Sequence, residues 1–166
     1  MARQQSARNT MGFSSLSEWS VAHIESIFQA TSHDQAMRAV DETFANDVEA
    51  YMNGTPIDVE GIKTQVLGLR RSSRGGLRVR WKNIVEAPNR PGSQAEGFVG
   101  GVYVIEGIHR VTPDRPLGSE YERHKVVTVK ISSRNGEESG RDKRRIVGIS
   151  FVAADIKLDR VVQAAL

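Results

Sequence analysis

The feature that most constrains this chain is a change of hydrophobic period at Gly75-Gly76. Before it, apolar residues recur at spacings of three and four, as on amphipathic helices; after it they alternate or run continuously, as in strands. Leu77, Val79 and Trp81 alternate with Arg78, Arg80 and Lys82, the period of a half-buried strand. Residues 98–111 are apolar on both faces, which places them near the middle of a sheet. Gly100-Gly101 within them suggests a bulge or a sharp bend. Two more strands are expected at 121–132 and 146–158. The loops between the strands are of hairpin type, so the four long strands should run antiparallel.

Upstream, Ser15 and Glu18 form a capping-box pattern, and Leu16, Ile24, Ile27 and Phe28 give the helix they open its apolar stripe, flanked by Trp19 and Val21. Ser32 with Gln35 repeats the signal, and Met37, Val40 and Phe44 continue it as a second helix. The period breaks over residues 44–54, ending on the Asn53-Gly54 turn signal. Thr55-Pro56 with Asp58 predicts the start of a third helix, with Val59, Ile62, Val66 and Leu69 as its buried stripe and Gly75-Gly76 as its end. The expected architecture is α+β: three N-terminal helices closing over a curved antiparallel sheet of about four long strands, with an apolar pocket between them.

A length of 166 residues suits one domain. Residues 1–14 are polar and aperiodic and are expected to be a disordered leader, leaving 15–166 as a single domain. The chain has no cysteine, which excludes disulfides, thiolate metal sites and cysteine nucleophiles. The leader lacks the apolar stretch of a secretory signal, and no run approaches the length needed to cross a bilayer, so a cytoplasmic protein without membrane contact is expected. Four histidines, only His23 and His33 close together, give no metal-ligand spacing, and no glycine-rich loop leads into a helix, so neither a metal nor a cofactor is expected.

The order of elements over about residues 15–158 resembles the nuclear-transport-factor-2-like superfamily. The run FANDVEAYMNGTPIDVEGIK, residues 44–63, resembles the helix-to-strand passage and third-helix start of its SnoaL-like, polyketide-cyclase-like branch. The resemblance implies a cone-shaped half-barrel around a cavity, a homodimer formed through the outer sheet face, and a small hydrophobic ligand. It implies no single function, since members include cofactor-independent isomerases, lyases and cyclases as well as non-catalytic transport and adaptor proteins. The base of the ketosteroid isomerases would fall near Met52 and their oxyanion-hole tyrosine near Ile24, so that mechanism does not carry over.

Enzymes of this superfamily work with ionisable groups buried in apolar surroundings, which move pKa values toward neutrality. Glu106, inside the apolar run VYVIEGIH, is one candidate, against the alternative of a strand-end glutamate paired with an arginine. His109 lies on the opposite face from Glu106 in a regular strand, and the two reach one site only if nearby glycines distort it. His23, on the apolar arc of the first helix, is a candidate base or donor, or else a boundary residue. Trp19, Tyr51, Trp81 and Tyr103 are candidate pocket residues, with plain packing as the alternative. The basic row Arg78, Arg80 and Lys82 offers a surface for an acidic partner, but no stacking aromatic interleaves with it on that face, which argues against nucleic acid. An open apolar cavity of about 300 Å³ or more would favour ligand binding, and a filled interior an adaptor.

Overall fold

The computed structural model describes residues 14–133 and 142–159. The leader expected over 1–14 lies, apart from its last residue, outside the described residues. The described chain runs α1 (Leu16–Phe28), α2 (His33–Thr43), β1 (Phe44–Met52), β2 (Thr55–Ile57), α3 (Val59–Arg71), β3 (Ser73–Pro88), β4 (Gly97–Thr112), β5 (Arg115–Ser133) and β6 (Arg144–Lys157).

The caps form as the sequence predicts. The Ser15 hydroxyl accepts from the Glu18 N–H while the Glu18 carboxylate accepts from the Ser15 N–H, at 3.1 and 2.9 Å. Ser32 accepts from the Gln35 N–H at 3.1 Å. Two boundaries differ. Thr55 and Pro56 belong to the short strand β2, paired with β1 through the Asn53-Gly54 turn, and the third helix is instead capped by Asp58, which accepts from the Gly61 N–H at 2.8 Å. Proline is tolerated there because β2 is an edge strand with an open donor side. The helix ends at Ser72, and Gly76 sits within β3, where its carbonyl oxygen would lie 2.5 Å from a Cβ on Gly107 of β4. Gly107 has φ +93°, so this pair of glycines serves a bulge that brings two backbones together.

The sheet order is β2-β1-β6-β5-β4-β3. The four long strands pair antiparallel, while β1 joins β6 in parallel. That parallel pair obeys the crossover rule because nearly the whole fold lies between its strands. The fourth and fifth strands form a tighter hairpin than expected, closing at Thr112 and Arg115, so most of the anticipated loop before residue 121 is strand.

The sheet is curved. α3 touches both β1 and β3, which are four strand spacings apart, roughly 19 Å if flat and wider than a helix about 10–12 Å across. One helix reaches both only if the sheet wraps around it. The core fills the concave side, with Trp19, Ile27 and Phe28 of α1 and Val66 and Leu69 of α3 against Tyr103, Ile105, Val127, Val129 and Phe151. Among the described residues no helix is long and apolar enough to cross a membrane.

Candidate functional site

Strand pairing sorts side chains to the two faces of the sheet. On the concave face, Tyr103 pairs with Trp81 on one side and Lys125 on the other, and Lys125 pairs in turn with Ala153. The next row toward the open end holds Ile105, Arg123 and Asp155. Since side chains alternate, Arg123 and Lys125 point into the cone together with Val127, Val129 and Ile131.

Between helices and sheet lies an apolar chamber walled by Ile24, Ile27 and Phe28 of α1, Ile62, Val66 and Leu69 of α3, Phe44 and Met52 of β1, and Ile149 and Phe151 of β6. Its polar wall groups are Gln65, Tyr103, Arg123 and Lys125. The chamber's free volume is about 30 Å³, space for roughly one or two waters. Gln65, Leu69 and Arg123 also border a cleft of about 300 Å³, completed by Thr64, Gly68, Ser72 and Arg110. Chamber and cleft therefore share a mouth. The apolar chamber itself is nearly filled, well short of the roughly 300 Å³ cavity that would mark a ligand site, and the ligand-sized volume lies outside it in a cleft with mostly polar walls.

Lys125 is the unusual group. Its Nζ stands 4.1 Å from the centre of the Phe151 ring, with the rings of Phe28 and Tyr103 at 5.5 and 5.6 Å. Among the described residues it forms no ion pair, so the rings' negative faces are its main electrostatic support. Burial, reinforced by the nearby Arg123 guanidinium, lowers its pKa to about 7. Burial likewise pushes the Tyr103 hydroxyl well above the usual tyrosine range, so it stays protonated as a potential donor. At the mouth, Arg123 grips Asp155 through two bonds of 2.7 and 3.0 Å, and Arg110 reaches the same carboxylate. The Arg123 bonds hold that carboxyl below the usual aspartate range. Two guanidiniums sharing one carboxylate leave the cleft with a net positive charge.

The residues singled out from sequence fall differently. Tyr103 lines the chamber. Trp81 packs on it at 4.7 Å between ring centres but does not reach the chamber wall. Trp19 is buried in the core, 4.1 Å from the His23 ring. His23 bonds Thr43 Oγ1 at 3.2 Å and is held below the ordinary histidine pKa by burial; it braces α1 against α2, away from the chamber. Tyr51 is on the outside, its hydroxyl donating to Glu49 at 3.2 Å.

Glu106 and His109 border a different cleft, of about 500 Å³, on the far side of the sheet. The Gly107 bulge supplies the distortion that lets both face one side. Glu106 is clamped there by Arg80 at 2.6 Å and by Arg78 at 2.6 and 2.8 Å, and those bonds, Arg80's foremost, hold its carboxyl below the ordinary range. An ionised carboxylate so tied is a poor proton acceptor near neutrality, and the paired-glutamate reading describes it. The His109 ring is closed in against Gly118, and its Nε2 has no partner among the described residues. No group of three or more metal-ligating side chains occurs among the described residues.

No protein-family model matches the sequence, and no curated protein matches it. Solved structures do. A SnoaL-like polyketide cyclase from Agrobacterium tumefaciens superposes with a TM-score of 0.53 at 14% identity, over 86% of this chain and 93% of that one. Wild-type IdmH from Streptomyces antibioticus, a proposed polyketide cyclase, gives 0.55 at 17%, over 80% and 90%. The chain shares the fold of these two structures. A Caulobacter vibrioides protein with a cystatin-like fold is similar to about the same degree, at 0.52 and 15% over 82% and 88%. At these identities the SnoaL-like likeness speaks for the fold, and the chemistry has to be argued from Lys125 and its surroundings.

Proposed function

We propose that this SnoaL-like domain binds a small metabolite with an acidic group and a short apolar end and acts on it without a cofactor, as a lyase, isomerase or cyclase. The observation carrying this reading is Lys125, an amine closed in by aromatic and aliphatic side chains at the end of a positively charged cleft. A lysine near neutrality accepts and returns protons at working pH, as a general base must. Tyr103 stands beside it as a donor for developing negative charge. Because the chamber takes only a few atoms, the polar part of the ligand occupies the cleft, where its acidic group meets Arg110 and Arg123, while a short apolar end enters past Gln65 and Leu69.

The test is methyl NMR with butanoate and hexanoate as probes. Shifts concentrated on Ile24, Ile62 and Met52 are expected. Shifts confined to the outer sheet face, or none at millimolar probe, would overturn this reading.

The outer face supports a homodimer. Val85, Phe98, Val126 and Val152 are exposed together on that face, and apolar side chains gathered on one exposed face mark an association site. Arg78 and Arg80, the residues that would serve an adaptor's acidic partner, are engaged with Glu106 in a local clamp further along the sheet from these apolar side chains. Sedimentation at micromolar concentration should give a dimer that Val126→Glu with Val152→Glu converts to a monomer. A monomeric wild-type protein contradicts the dimer.

A further inference from the structure

We infer that Lys125 is a nucleophile that condenses with the carbonyl of a small oxo acid, whose carboxylate is held at the mouth by Arg123 and Arg110. The inference deepens the proposed ligand site and rests on it. Three observations converge. Lys125 is the chamber's only amine among the described residues, and no carboxylate is paired with it there. Its own strand places Arg123 two residues away on the same face, about 6.5–7 Å along the backbone, a span that a carboxylate and a carbonyl of one short acid can bridge. The surroundings are mostly apolar and leave room for only roughly one or two waters beside the amine, which favours an imine over its hydrolysis.

The groups facing Lys125 agree with this role. α1 and α3 present Ile24, Phe28, Ile62 and the neutral Gln65. β4 presents the protonated Tyr103, and the Asp155 carboxylate of β6 is occupied by Arg123 and Arg110. A lysine in an apolar pocket beside another cation is a recognised way of freeing an amine for Schiff-base chemistry. With a pKa of about 7, near half of Lys125 is uncharged at neutral pH, against on the order of a thousandth for an ordinary exposed lysine.

In the reaction, the neutral Nζ adds to the carbonyl carbon while one of its two protons passes to the carbonyl oxygen. The hydroxyl of the resulting carbinolamine takes a second proton from water at the cleft mouth and leaves as water, so the C–O bond breaks and a C=N bond forms. The product is an iminium that draws electrons from the adjacent carbon.

The test treats the full-length protein at pH 7 with levulinate or butanone in the presence of sodium cyanoborohydride, followed by peptide mapping. The hydride reduces any iminium to a stable secondary amine whose added mass is that of the ketone less its oxygen. Expected is labelling of Lys125 roughly tenfold or more faster than of the exposed Lys82 and Lys130. Levulinate should outpace butanone, and Arg123→Gln should erase that advantage. Labelling spread evenly over surface lysines overturns the inference. If butanoate and hexanoate still shift the chamber methyls in that case, the ligand site stands and only the nucleophile falls; if they do not, both fall.

Discussion

Lys125→Met should stabilise the protein at pH 7 by about 2–4 kcal/mol and flatten its stability between pH 7 and 10. The folded pKa of about 7 lies below the unfolded lysine value, so across that window the unfolded chain holds more protons and stability rises with pH. Below pH 7 both states are protonated and the full cost of enclosing the charge is felt. Part of the Lys125 residue remains accessible, which places the effect toward the low end of the range. Above about pH 10 ionisation of tyrosines in the unfolded chain works the other way, because Tyr103 resists ionisation in the fold. Urea unfolding of wild type and variant from pH 6 to 10 measures the difference directly. A destabilised variant, or two parallel pH profiles, would mean that the amine is well solvated. If the gain is found, retention of the lysine makes sense as stability given up for chemistry.

Arg144→Ala should cost about 3 kcal/mol, the scale expected when one member of a buried charged network is removed. Arg144 opens β6 and is almost fully buried. It bonds Asp142, donates to the carbonyl oxygens of Ser14 and Gln94 at 2.7 and 2.9 Å, and lies 5.6 Å from the Trp19 ring. One guanidinium therefore ties the entry of α1 and the loop before β4 to the start of β6. Without it two carbonyls lose their donor and Asp142 its partner. Urea unfolding should show the loss, and thermal melts should broaden as α1 comes away from the sheet. A loss below about 1 kcal/mol would place this network with ordinary surface ion pairs.

The helices were legible because each carried a local chemical signal. Ser15 with Glu18, Ser32 with Gln35, and Asn53-Gly54 act within a few residues of themselves, and all formed as read. Pro56 misled because proline suits both a first helical turn and an edge strand, and only the pairing of Tyr51 with Pro56 decides between them. Gly75-Gly76 was visible as a break, but its partner, Gly107, lies about thirty residues away, and close approach of two backbones leaves no local trace.

The site was less legible for a related reason. Glu106 drew attention as a carboxylate in an apolar run, yet its two arginines sit on the neighbouring strand. Lys125 went unremarked, although it shares its alternation with Val127, Val129 and Ile131, the side of β5 that turns to the core. That parity was the available signal. What it lacked was the curvature that carries Phe28 and Phe151 up to the same amine from a helix and another strand.

Titration of Lys125 by carbon NMR of its Cε tests the account most directly, since the ligand site, the pH-dependent stability and the imine all depend on that one amine. A midpoint near pH 7, with the exposed lysines titrating several units higher, is the expected result. A Lys125 that titrates together with the exposed lysines would contradict it.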